Sequence, residues 1–236
     1  MKKTRLKGIF KGLSYAEKTG SIMEITVKQM YQIEENGHQM GFLRQLMMEN
    51  AGASMVKRLA EKFSDISSKK VLVFAGIGNN GGDALVVARH LAGYGSKVTV
   101  VLLGNPNDIK TVECRTNWQI LQKMKSVVIS ELDKIQEKNP DIIVDGILGT
   151  GITGSIREPQ SSAIDLINAS TAFKIAVDVP TGVNPDTGET ADKYVRSDMT
   201  VTFHKMKRGM PKKKDICGQI FVEKIGIPPE AEIGVL

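Results

Sequence analysis

Val71-Leu72-Val73-Phe74-Ala75 is an apolar run with no polar interruption, and it stops at Gly76. A strand with one wet face alternates; a run without alternation fits a strand covered on both faces, as in a parallel sheet. Further short strands are read at 97–103, 127–129, 141–145, 174–178, 198–203 and 219–225. Helical spacing predicts helices over 83–94, 112–124 and 161–168 between them. Upstream, Leu43, Leu46, Met47, Ala51, Met55, Leu59 and Phe63 recur at spacings of three and four, which is one buried face of a long helix. A shorter amphipathic stretch precedes it, with Val27, Met30, Tyr31, Ile33 and Glu34, and ends near Gly37.

Apolar strand, glycine loop and helix in alternation predict the α/β class. The expected architecture is a three-layer Rossmann-like sandwich. Its central sheet is mainly parallel, helices cover both faces, and two further helices stand at the N-terminus. The chain shows no internal repeat and no Pro- or Ser-rich linker. Residues 25–236 are therefore expected to form a single domain behind a basic arm at 1–24.

Charge and composition narrow the function classes. The net charge is +6, but in residues 1–20 Lys2, Lys3, Arg5, Lys7, Lys11 and Lys18 face Glu17 alone. The body is close to neutral, with a second basic run at 205–214, so the arm reads as a solvated tail and nucleic acid is not the expected partner. No apolar run approaches the ~18 residues that span a bilayer, and no membrane contact is expected. Two cysteines, Cys114 and Cys217, do not make a disulfide framework, which points to a reducing, cytoplasmic setting. His38, His90 and His204 show no metal-ligand spacing, and no G-x-S-x-G element is present.

Three of the expected strands end in polar, glycine-containing loops, where open α/β sheets bind ligands. The first reads Gly76-Ile77-Gly78-Asn79-Asn80-Gly81-Gly82-Asp83. It fits the spacing of a dinucleotide loop. The next strand, however, lacks the acidic end that holds a ribose, and Gly82-Asp83 replaces the Lys-Ser/Thr of a Walker loop. Backbone amides and amide side chains around a polar ligand, or a tight turn with Asp83 as a helix cap, both fit it. The second loop, 145–155, offers free amides at Gly149, Gly151 and Gly154 and hydroxyls at Thr150, Thr153 and Ser155, which suit a phosphate or sugar. The third follows Asp178, a carboxylate at the end of a buried strand. Burial there moves a carboxyl toward the range useful for proton transfer, and a turn or cap aspartate is the other reading.

Together these residues carry a resemblance. Gly78-Asn79-Asn80-Gly81-Gly82-Asp83, followed by Ala88-Arg89-His90-Leu91, resembles the signature of the NAD(P)H-hydrate epimerases, the YjeF N-terminal domain family. Other stretches agree in order: Leu46-Met47-Met48-Glu49-Asn50-Ala51-Gly52, Val144-Asp145-Gly146-Ile147-Leu148-Gly149-Thr150-Gly151, Ala176-Val177-Asp178-Val179-Pro180-Thr181-Gly182-Val183, and Val201-Thr202-Phe203 with Lys205. The resemblance implies an isomerase that interconverts the R and S forms of hydrated NADH and NADPH (NADHX and NADPHX) at C6 of the nicotinamide ring. Substrate contacts are implied at Asn79, Asn80, Gly81, Gly82 and Asp83, at Gly149, Thr150, Gly151, Ile152, Thr153, Gly154 and Ser155, and at Asp178.

One potassium ion per subunit is implied at Asn80, Asp145 and Thr181, each of which offers a hard oxygen. Thr181 departs from the serine common at that position but keeps the hydroxyl. Asp178 is expected to be the general acid/base, with Asp83 as the alternative. A homodimer is implied, as is a separate NAD(P)H-hydrate dehydratase, because the chain ends at Leu236 without room for the dehydratase domain that many relatives carry. The competing expectation is a non-catalytic nucleotide- or RNA-associated scaffold of the same fold.

Overall fold

A computed structural model describes residues 24–149 and 154–236. Seven strands form one sheet: β2 (Lys70–Ala75), β3 (Lys97–Leu102), β4 (Val127–Ser130), β5 (Ile142–Gly146), β6 (Phe173–Val177), β7 (Met199–Phe203) and β9 (Gln219–Glu223). They lie in the order β4-β3-β2-β5-β6-β7-β9, and every neighbouring pair is parallel. A second, two-stranded sheet joins β1 (Glu24–Ile25) to β8 (Met206–Lys207). Glu24, the last residue of the expected arm, is thus paired in β1; the rest of the arm lies outside the described residues.

The unbroken apolar runs have the predicted cause. Val71, Val73 and Ala75 of β2 pack into one core cluster, while Leu72 and Phe74 pack into another on the opposite face. The first face is covered by α1 (Val27–Gln39), α2 (Arg44–Lys62), α3 (Asn79–Gly93) and α4 (Val112–Lys123). The second is covered by α5 (Gln160–Ala169) through Ala163, Ile164 and Ile167. A third cluster forms around Val179, Val183, Met210 and Ile216, the last of these on the short α6 (Lys214–Cys217). The three layers agree with the sequence reading. No described helix is long and apolar enough to cross a membrane.

One boundary differs in a way that matters. The stretch Asn79–Gly82 reads as loop, yet it is the first turn of α3. Glycine and asparagine are weak helix formers, and tertiary packing overrides that preference here. A Cβ at Gly81 would run into the Gly76 carbonyl, and one at Gly82 would meet the Met48 thioether. Only glycine lets this turn close onto the end of β2. Asp83 therefore sits in the second turn of the helix rather than at its cap.

From β2 the chain steps outward through β3 to β4, then returns to β5 on the other side of β2 and continues to β9. The order reverses between β2 and β5. At such a switch point the crossovers leave in opposite directions and open a crevice beyond the strand ends. The loops after β2, β5 and β6 all end there.

Candidate active site

Two groups of polar side chains meet at the switch point. The first is built on Asp145, the fourth residue of β5 and fully buried. Thr181 donates to it twice, from its amide to Oδ2 at 2.8 Å and from its hydroxyl to Oδ1 at 2.6 Å. The Ile147 amide adds a bond to Oδ1 at 3.3 Å. Thr181 Oγ1 also accepts from the Leu148 amide at 3.0 Å, and Asn80 Nδ2 donates to the Leu148 carbonyl at 3.2 Å. Asn80, Asp145 and Thr181, far apart in sequence, are thereby tied around Leu148.

No cationic side chain pairs with Asp145 among the described residues. Burial pushes its carboxyl up to about 6, against the opposing pull of its bonds to Thr181 and Ile147. An uncompensated buried carboxylate ringed by amide, hydroxyl and carbonyl oxygens is a donor set for a hard cation. Among the described residues no three His, Cys, Asp or Glu side chains are placed to share a metal ion. The set fits a monovalent ion.

The second group lies toward the α1–α3 face. Asp178 follows β6 directly and has φ +59°, a left-handed backbone shared among the described non-glycine residues only with His204. Such a turn is uncommon for a residue with a Cβ, and it swings the Asp178 side chain toward β7. Oδ1 accepts from the Thr202 hydroxyl at 2.8 Å, from the Phe203 amide at 3.1 Å and from the Lys207 ammonium. Asp83 of α3 and Glu34 of α1 face the same region. Burial, together with the charges of Asp178 and Glu34, pushes the Asp83 carboxyl well above the usual carboxylate range, and Lys207 opposes this. Burial raises Glu34 to about 7, with Lys207 and Arg44 pulling it down and Asp178 pushing it up. Asp83, Asp178, Glu34 and Lys207 thus act on one another through space across the end of the sheet.

Of the other expected contacts, Asn79 and Asn80 begin α3, whose N-cap Gly78 supplies no side-chain bond. The first-turn amides of such a helix are available to an anion. Gly149 packs beside Asn80, where a Cβ would lie 3.2 Å from the Asn80 Cβ. Gly154 and Ser155 are exposed, and Ser155 lies beside Asp192. Thr150, Gly151, Ile152 and Thr153 lie outside the described residues. A concavity of about 990 Å³ lies along β3 and β4, between Leu102, Trp118 and Leu132, and no described residue of the three loops lines it. Chemistry rather than size locates the site.

Lys207 and Glu34 escaped the sequence reading. Lys207 belongs to the basic run at 205–214, yet its side chain is 1 % exposed. Its burial depends on the β1–β8 pairing, which no local pattern announces. Glu34 carried a signal: it sits four residues after the buried Met30, on the apolar side of α1, where an acid is out of place.

Comparison with known proteins shows the family. Residues 44–209 match the family model described as YjeF-related protein N-terminus. A protein of Nitrosopumilus maritimus (strain SCM1) named NAD(P)H-hydrate epimerase is 62% identical over 91% of this chain and 100% of its own length. One of the same name from Cenarchaeum symbiosum (strain A) is 60% identical over the same shares. A Hyperthermus butylicus protein named bifunctional NAD(P)H-hydrate repair enzyme Nnr is 43% identical, and the match covers 89% of this chain and 40% of that longer one. Among solved structures, yeast YNL200c superposes with a TM-score of 0.76 at 26% identity, covering 89% of this chain and 91% of that one. With the matched segment spanning α2 to β8 and two relatives at 60% identity or more aligned along their whole length, the chain belongs to the YjeF N-terminal family.

Proposed function

We propose that this chain is an NAD(P)H-hydrate epimerase, an isomerase that interconverts the R and S forms of NADHX and NADPHX at C6 of the nicotinamide ring. The observation that carries the reading is the convergence of Asp83 and Asp178 at the switch point of a chain 62% identical to a relative named for that activity.

The chemistry needs little more than two carboxyl groups. In the hydrate, C6 bears a hydroxyl and is bonded to the ring nitrogen. An acid gives its proton to that hydroxyl, the C6–O bond breaks, and the nitrogen lone pair forms an iminium ion. Water then adds to the other face of C6 while a base takes its proton. A raised carboxyl is suited to the first step. Asp83, whose carboxyl is pushed up by burial and by neighbouring acids, is assigned to it. Asp178, paired with a lysine, is assigned to the second. The sequence expectation gave both steps to Asp178; the Lys207 pairing favours dividing them.

The amides at the start of α3 and the hydroxyls and amides of 149–155 would take the phosphate-bearing half of the substrate. Asn80, Asp145 and Thr181 would hold a potassium ion, which supplies positive charge to offset Asp145 and the substrate phosphates. A homodimer belongs to the same reading, covering the exposed Met40, Leu43 and Leu46 around the α1–α2 turn. So does a partner dehydratase acting on the epimer that this chain supplies. Purified S-hydrate, incubated with the protein and resolved by chromatography, should relax to the R/S mixture faster than in buffer alone. An unchanged rate would exclude the epimerase.

A further inference from the structure

Lys207 has no assigned role, and its placement is specific. The ammonium donates to Asp178 Oδ1, to Thr202 Oγ1 at 3.0 Å and to the Phe203 carbonyl at 3.0 Å. Its three protons meet three acceptors, all at the ends of β6 and β7. Thr202 and the Phe203 amide also donate to that same oxygen of Asp178. All the hydrogen bonds that Asp178 makes through its carboxylate, among the described residues, therefore fall on Oδ1. Oδ2 is left to the crevice, and the side chain keeps 17 % exposure. Glu34 faces this carboxylate from α1, Asp83 faces it from α3, and Arg44 of α2 lies near Glu34. Lys207 is the buried cation of a site with three acids.

We propose that Lys207 is a positioning residue of the epimerisation site. It fixes Asp178 through Oδ1, so that Oδ2 is the oxygen turned to the substrate, and it sets a positive charge against Asp178 in a site crowded with acids, so that Oδ2 can accept a proton. The inference rests on the epimerase reading and adds a residue and a role to it. In the step concerned, water oxygen bonds to C6 of the iminium ion, one water proton passes to Asp178 Oδ2, and the electron pair of that O–H bond stays on oxygen. Lys207 keeps all its protons throughout. An uncharged replacement removes the cation paired with Asp178, and a carboxyl that loses a paired cation holds its proton to higher pH.

The test compares wild type, Lys207→Met and Thr202→Val for epimerisation across about pH 5 to 9, with folding followed by circular dichroism. For Lys207→Met, kcat should fall by about 100-fold or more, with KM changed less than about threefold. The pH below which its rate drops should move up by about one unit or more. Thr202→Val keeps the lysine charge but removes a shared contact; its kcat should fall about tenfold, with the pH limb moving the same way. A folded Lys207→Met protein with the wild-type pH limb overturns the proposal, whatever its rate. If that variant does not fold, an unmoved limb in Thr202→Val does so. Wild type that fails to epimerise refutes the epimerase reading itself, a different outcome from either.

Discussion

Thr181 holds both oxygens of Asp145, with its amide on one and its hydroxyl on the other. A fully buried carboxylate at the centre of a sheet end is costly unless its lone pairs are met, and Thr181 meets most of them. Thr181→Val keeps the shape and the amide but removes the hydroxyl, which also orphans the Leu148 amide. Urea unfolding should show a loss of about 1–3 kcal/mol, with Thr181→Ser close to wild type. If the pair cradles potassium, the wild-type melting temperature should rise with potassium chloride over tetramethylammonium chloride. The valine variant should lose that rise.

Glu34 makes stability depend on pH in a stated direction. Its folded carboxyl titrates near 7 against 4.5 unfolded, so the folded state binds the proton more tightly. The stabilisation is complete below about pH 4.5 and is lost as pH rises through 7. The difference corresponds to about 3 kcal/mol. Asp83 and Asp145 are displaced in the same direction and add to the trend. Thermal melts should show stability declining from pH 5 to 8, and Glu34→Gln should flatten that slope and melt higher than wild type at pH 8. An equal slope in both proteins would contradict the burial of this acid.

Gly78 and Gly81 lie three residues apart and should respond oppositely to alanine. A Cβ at Gly78 meets nothing within 4 Å, whereas one at Gly81 collides with the Gly76 backbone. Gly78→Ala should be near neutral. Gly81→Ala should cost about 1–3 kcal/mol by overpacking and should lower activity, because it pushes α3 away from the end of β2. Denaturant midpoints and rates of the two variants decide this.

Asp83→Asn and Asp178→Asn should both lose turnover, by about 10²–10⁴-fold for a lost acid or base. They should part in stability. Neutralising Asp83 removes an acid that burial already disfavours in its charged form, so its melting temperature at pH 8 should hold or rise. Neutralising Asp178 leaves Lys207 as a buried cation without its counter-charge, at a cost of up to about 3–5 kcal/mol. The remaining bonds to Thr202 and Phe203 moderate that loss. Equal melting temperatures would mean that the Lys207 pairing contributes nothing to the fold.

Much of this was legible in the chain. Buried parallel strands show themselves because both faces need apolar residues, so β2 is readable from its own run. The loops after β2, β5 and β6 stood out because polar, glycine-containing sequence breaks off each run directly. What stayed hidden depends on contacts between distant segments. The helical state of Asn79–Gly82 is set by Gly76 and Met48, not by local propensity. The burial of Lys207 is set by pairing with Glu24 and Ile25, some 180 residues earlier. Asn80, Asp145 and Thr181 became a group through family resemblance, and their shared ties to Leu148 supply the physical reason.

The most direct measurement follows the cofactor back to its working form. Purified R-hydrate is mixed with an S-specific dehydratase, its nucleotide and this protein, and absorbance at the reduced-nicotinamide band is recorded. Absorbance should return at a rate proportional to the amount of this protein, and Asp83→Asn or Asp178→Asn should reduce it to the level without protein. No return above that level, while S-hydrate is still repaired in the same mixture, would contradict the account.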